Sequence, residues 1–325
     1  MDHRCFGVTL VMLMASAVLP VVVRAQAPTY LTQWGTPGTG SGQFAYPLGV
    51  ATDPAGNVYV ADWLRNNIQK FTSAGAFITQ WGTPGTGDAQ FNRPYGVATD
   101  ALGNVYVAQE DNHCIQKFTD AGTFITQWGV LGSGDGQFNN PVGVATDAAG
   151  NVYVADHQNN RIQKFADAGT YITQWGTPES GSGELDHPYH VATDAAGSVY
   201  VTDITDRILK FTETGTYITQ WGTSGNGSGQ FAYPLGVATD AAGDVYVADY
   251  GNNRIQKFTG TGTYLTRWGT PGTGNGQFAG PACVATDAGG NVYVSDRGNC
   301  RVQVFGFLPV PTRQTSWGRV KVLYR

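Results

Sequence analysis

The sequence predicts an all-β fold, a six-bladed β-propeller of four-stranded antiparallel blades, and three observations carry that prediction. A Trp-Gly pair recurs at Trp34, Trp81, Trp128, Trp175, Trp221 and Trp268, in steps of 47, 47, 47, 46 and 47 residues. A period of that size marks one supersecondary unit stacked on copies of itself. Each unit contains four short runs rich in branched and aromatic residues, divided by turn signals, with no helical periodicity. Finally, the first three runs occur six times, from Pro47, Pro94, Pro141, Pro188, Pro234 and Pro281, but the sixth copy stops at Phe305 without its closing run. The missing run, Tyr30-Leu-Thr-Gln-Trp-Gly35, stands ahead of the first unit. The N-terminal strand is therefore expected to complete the last blade and close the ring. Short strands in a closed radial array leave few exposed edges. A β-solenoid is the competing architecture, but its repeats are shorter and lack these hairpin loops.

Taken in order, residues 1–27 read as a signal peptide. Asp2-His3-Arg4 is a short polar start, residues 6–23 are an apolar run, and Ala25-Gln26-Ala27 offers a small-residue cleavage site. An uncleaved anchor competes with this, since the run is about long enough to span a bilayer. Cys5 precedes the run, which argues against a lipoprotein anchor. Residues 28–305 form the propeller. In the third unit, run 142–146 leads through the loop Asp147-Ala-Ala-Gly-Asn151 into run 151–155, then 162–165, and Ala168-Gly169 turns the chain into 171–175. Residues 306–325 leave the repeat as a basic tail carrying Arg313, Arg319, Lys321 and Arg325, expected to be a disordered end or a sorting tail.

The formal charge is −5, from 19 Lys and Arg against 24 Asp and Glu. Because four of the cations sit in the tail, the propeller is more acidic still, and a nucleic-acid partner is not expected. With the signal removed, no other stretch is apolar enough for membrane insertion. Cys283 opens the first run of the sixth unit and Cys300 lies just past its second, neighbouring places in an antiparallel pair. Export to an oxidising compartment then predicts a Cys283–Cys300 disulfide, with Cys114 free.

The motifs Gly136-Gln-Phe138, Pro141-Val-Gly-Val-Ala-Thr-Asp147, Gly150-Asn-Val-Tyr-Val-Ala-Asp156 and Asn159-Asn-Arg-Ile-Gln-Lys-Phe165, met again between Gly229 and Phe258, resemble the NHL repeat. The resemblance covers residues 30–305 and implies a six-bladed propeller. Its implications for activity are broad, since relatives include protein- and RNA-binding modules of animal regulators, a metal-dependent peptide-amidating lyase and exported bacterial proteins. The ubiquitin-ligase activity of some relatives resides in a separate RING domain, and no Cys/His framework of that kind occurs here.

Internal symmetry separates scaffold from site. Asp53, Asp100, Asp147, Asp194, Asp240 and Asp287 precede the hairpin loop in every unit and are expected to accept turn N–H groups. Asp156, Asp203, Asp249 and Asp296 pair in sequence with Arg161, Arg207, Arg254 and Arg301, which predicts a bidentate clamp on the loop between second and third strands. The second unit has Gln109 and Cys114 in these two places; the first keeps Asp62 but has Asn67, with Arg65 a substitute. A single ligand is recognised instead by residues that differ. Those follow the second run at Trp63, Glu110, His157, Ile204, Tyr250 and Arg297, and stand near the first run at Leu48, Tyr95, Val142, Tyr189, Leu235 and Ala282. The binding set expected from them is Trp63, Tyr95, Glu110, His157, Tyr189, His190, Tyr250 and Arg297, around the channel mouth. Aromatic and Arg side chains carry binding energy in compact contacts. The predicted function is an exported, monomeric, non-catalytic scaffold that binds a protein, peptide or glycan and needs no cofactor. The alternative is a metal-dependent lyase or hydrolase in which His113, His157 and His190 converge at the channel mouth on a divalent ion such as zinc or calcium.

Overall fold

In a computed structural model of the chain, residues 25–177 and 183–307 are described. The expected signal segment and basic tail lie almost wholly outside the described residues. Each Val-Tyr-Val core, as in Val152–Asp156, is buried along its whole length because its blade is covered on both faces by neighbouring blades. The alternating apolar and polar pattern of a one-sided sheet is therefore absent there.

Blade one comprises Pro47–Thr52, Val58–Asp62, Asn67–Phe71 and Phe77–Trp81. Five such sheets follow the chain in simple antiparallel order. The sixth is assembled from both ends, with Thr29–Trp34 added beside Arg301–Gly306. Its register runs from Thr29 opposite Gly306 to Trp34 opposite Val302. The closure expected from the orphan run is thus the observed one.

Hydrophobic cores lie between blades rather than within them. Tyr59, Ala61 and Ile68 of blade one pack with Phe91, Val97, Val107 and Phe118 of blade two. The same arrangement recurs around the ring to Val302 and Tyr293 of blade six against Val58 and Phe71 of blade one. The repeated Trp of five closing strands, all but Trp268, reaches the next blade's last hairpin. A Cβ on Gly75 would stand 2.5 Å from the Trp34 ring, so glycine is required there.

One connecting device was not legible beforehand. The last residue of every inner strand is a threonine whose hydroxyl donates to the matching carbonyl in the preceding blade. Thr99 donates to Thr52 O, Thr146 to Thr99 O, Thr193 to Thr146 O and Thr239 to Thr193 O, each at 2.7 Å. Thr286 donates to Thr239 O at 2.7 Å and Thr52 to Thr286 O at 2.8 Å, completing a six-membered circuit. The circuit rims the channel on the hairpin face.

Candidate functional site

The repeated acids are structural, as their recurrence implied. Asp53 Oδ1 accepts the Asn57 N–H at 2.8 Å, and Oδ2 accepts the Tyr59 hydroxyl at 2.9 Å. The second acid series does hold its arginine across the loop between second and third strands, and the arginine grips a second loop as well. Arg161 Nε donates to Asp156 Oδ2 at 2.7 Å. Its Nη1 and Nη2 reach Ser133, Gly134 and Gln137 carbonyls at 2.7, 2.9 and 2.8 Å, in the Gly-rich connector entering the blade. In this blade only Nε is spent on the carboxylate, and the rest of the guanidinium fork goes to the connector carbonyls and to Gln174 Oε1. In blade one, Arg65 reaches the equivalent Thr39, Gly40 and Gln43 carbonyls, replacing the missing arginine at Asn67.

On the face where second strands end, the asymmetric side chains make one another's contacts. Arg297 lies 4.1 Å over the Tyr46 ring and 5.0 Å over the Tyr250 ring. Tyr46 packs on Trp63 at 5.4 Å, Arg93 lies 4.6 Å over Trp63, and Trp63 Nε1 donates to Glu110 Oε2 at 2.7 Å. On the other side of the mouth, the His157 ring stands 5.1 Å from His187 and 4.8 Å from Tyr189, and Tyr189 stands 5.7 Å from Tyr233. Inside this collar, Leu48, Leu235 and Ala282 form an apolar floor on which Tyr95 and Tyr189 rest. The mouth on this face is therefore plugged. Burial lowers the His157 pKa and raises that of Tyr95, so both are neutral near pH 7.

Seven of the eight expected binding residues belong to this collar and its floor: Trp63, Tyr95, Glu110, His157, Tyr189, Tyr250 and Arg297. They are half-buried against one another rather than freely exposed. His190 does not belong to it; it is buried within the channel, with Nε2 3.5 Å from Cys283 Sγ. Sequence reasoning missed the neighbouring column Tyr46, Arg93, Asn140, His187, Tyr233 and Gly280, in which only Tyr recurs. Arg93, His187 and Tyr233 in it adopt left-handed backbone, with φ of 55°, 47° and 60°.

Two expectations are corrected. Cys283 and Cys300 are free thiols. Cys283 lies on the inner strand and Cys300 at the start of the third, so the second strand separates them. Two strand spacings, about 9.5 Å, exceed what a disulfide spans. The proposed trio of His113, His157 and His190 is not brought together, and the described residues contain no group of three His, Cys, Asp or Glu side chains placed to hold a metal ion. His113 instead fills an interblade latch, its Nδ1 accepting the Asn140 N–H at 3.1 Å. Asn66, Asn160 and Asn253 make the same contact to Arg93, His187 and Gly280 with their side-chain oxygens. Cys300 is the sixth blade's member of that latch column, with Sγ 3.5 Å from Ala45 O.

The NHL repeat family model matches residues 44–71, 91–118, 138–165, 231–258 and 278–305, each spanning the connector's Phe to the Phe that ends the third strand. The chain is an NHL-repeat propeller. Its fourth repeat escapes the model where it departs from the pattern, with Leu185 for Phe, His190 for Gly and Leu209 for Gln. No curated protein matches the sequence. Among solved structures, virginiamycin B lyase from Staphylococcus aureus is 18% identical over 86% of this chain and 88% of its own, with a TM-score of 0.58. A Bacteroides thetaiotaomicron protein of unknown function is also 18% identical, over 85% of this chain and 76% of its own, with a TM-score of 0.67. A gluconolactonase from Xanthomonas campestris is 14% identical over 82% and 87%, with a TM-score of 0.61. At these identities the likeness is one of fold. Among the described residues, no helix of this NHL-repeat propeller is long and apolar enough to cross a membrane.

Proposed function

We propose that this NHL-repeat propeller is an exported, monomeric binding scaffold that engages a protein, peptide or glycan through the aromatic and cationic collar. The observation that carries this reading is the left-handed backbone at Arg93, His187 and Tyr233. The equivalent positions in blades three and six are Asn140 and Gly280, which tolerate that conformation well. Bulky side chains held in such a conformation cost about 1–3 kcal/mol each and tend to gather at ligand-binding sites. All three present their side chains to the same collar.

The test pairs a glycan array and a peptide library, both probed with the intact chain, with the Trp63→Ala and Arg297→Ala variants. A ligand whose affinity falls about tenfold or more in each variant, at similar melting temperature, supports the scaffold. Binding unaffected by both variants, or mapped to the hairpin face, overturns it. A second reading draws on Asp186, His187 and His157, where Asp186 Oδ1 lies 2.6 Å from His187 Nδ1. Virginiamycin B lyase has been solved as a catalytically inactive His-to-Ala variant with quinupristin. Turnover of quinupristin, lost in His187→Ala, would favour that lyase reading over the scaffold.

A further inference from the structure

Beneath the collar floor, six inner strands converge, and the third residue of each faces its neighbour closely. Four blades have glycine there: Gly49, Gly96, Gly143 and Gly236. A Cβ on Gly49 would lie 2.5 Å from Tyr95 O, and one on Gly236 2.6 Å from Cys283 Cα. The two exceptions are His190 and Cys283, and their side chains meet across blade five at 3.5 Å, Nε2 to Sγ. The second strand changes with them. Where the glycine blades have Ala61, Ala108, Ala155 and Ala248, these two have Thr202 and Ser295. The Thr202 and Ser295 hydroxyls accept the His190 and Cys283 N–H groups at 3.1 and 2.9 Å. They donate onward to Leu235 O and Leu48 O at 2.6 and 2.5 Å. Two departures from the repeat are thus each supported by a second departure, and together they bring an imidazole and a thiol to one buried point.

We propose that Cys283 Sγ and His190 Nε2 form a two-ligand site for a soft monovalent metal ion, Cu(I) being the chemical type. His190 lines the channel cavity, about 190 Å³, together with the Val, Ala and Thr residues of the inner strands, so an ion has a route from the hairpin face. Thiolate ligands select soft ions. Charge decides the valence. Both groups are buried, Cys283 at 3% and His190 at 8% exposure. Binding replaces the thiol proton: Cys–SH, imidazole and M⁺ give a neutral S–M–N unit and one released H⁺, with no change of oxidation state. A divalent ion on the same two ligands would leave a buried net positive charge, which is expensive in an apolar channel. Metal–sulfur and metal–nitrogen bonds span about 4 Å end to end, so the pair need open by less than ~1 Å. This site is independent of the collar.

The experiment offers Cu(I) as its bicinchoninate complex, under anaerobic conditions, to the full chain. One equivalent is expected to move to the protein, at unchanged stoichiometry in a Cys114→Ser/Cys300→Ser variant. Cys283→Ser should abolish the transfer, and His190→Gly, which restores the residue of the other blades, should weaken it at least about tenfold. X-ray absorption of the wild-type complex needs no variant and should show one sulfur and one nitrogen at bonding distance. A shell of two or more sulfurs, transfer that follows Cys300, full affinity in His190→Gly, or equal retention of Zn(II) would each overturn the assignment.

Discussion

At His190 the chain puts a titratable ring where four blades have nothing. Its folded-state pKa of about 4 lies below the ordinary value of 6.5, because burial penalises the imidazolium. The unfolded chain therefore takes up its proton first as pH falls. The contribution of neutral His190 to stability is present above pH ~6.5 and is lost progressively as pH drops toward 4, about 3 kcal/mol in all. His157, also held low by burial, acts in the same direction more weakly. Melting temperatures measured from pH 7 to pH 4 should therefore fall less steeply in His190→Gly than in the wild type. Parallel slopes would show that the ring is solvated or moves out of the channel on protonation. The residue itself was legible, since comparison of units marks position 190 as an exception to glycine. Its partner was not. Cys283 stands in the same column, but the meeting of blades four and six across blade five is a property of ring closure that no local pattern contains.

At the scale of the blade, the strands and their hairpins were read correctly to within a residue or so, because each run is short, branched and bounded by Gly-containing turns. The acid–arginine pairing was also legible, since blade two loses both members together. What the arginine grips was not, because the connector carbonyls lie 24 to 28 residues earlier in the chain. Blade two shows the consequence of the loss. Gln109 is fully buried, and its Nε2 has no hydrogen-bond partner. The carbonyls of Thr86, Gly87 and Gln90 stand 47 residues before those that Arg161 holds, so the second connector can receive a guanidinium. The double variant Gln109→Asp/Cys114→Arg should raise stability by about 1–2 kcal/mol through new charged hydrogen bonds. Cys114→Arg alone buries an unpaired cation and should cost about 3–5 kcal/mol. Urea denaturation of the two singles and the double measures the coupling; additive effects would mean that the second connector does not accept the clamp.

At the scale of the whole molecule, stability depends on a circuit rather than on any one blade. The sixth blade carries one link of the threonine ring and packs against blades one and five, and its outer strand comes from the other end of the chain. Trp34 on that strand packs 5.7 Å from Phe71 of blade one and 6.3 Å from Tyr293 of blade six. Deleting residues 28–34 removes this bridging side chain and leaves Arg301–Gly306 as an unpaired edge. Trp34 is half-buried, and losing it alone costs about 2–3 kcal/mol, which for a domain of this size is a fall of roughly 5 °C or more in melting temperature. A circular permutant separates loss of the strand from loss of its covalent position. In that chain, residues 29–34 follow Gly306 through a Gly-containing turn copied from Ala168-Gly169, and the new N-terminus lies at Gly35. Since the strand then occupies the same edge with the same register, the permutant should melt within a few degrees of the wild type while the deletion does not. If the permutant melts with the deletion, the N-terminal connection, and not the strand pairing, closes the ring. If the deletion melts with the wild type, the sixth blade does not need its fourth strand, and the closure argument fails.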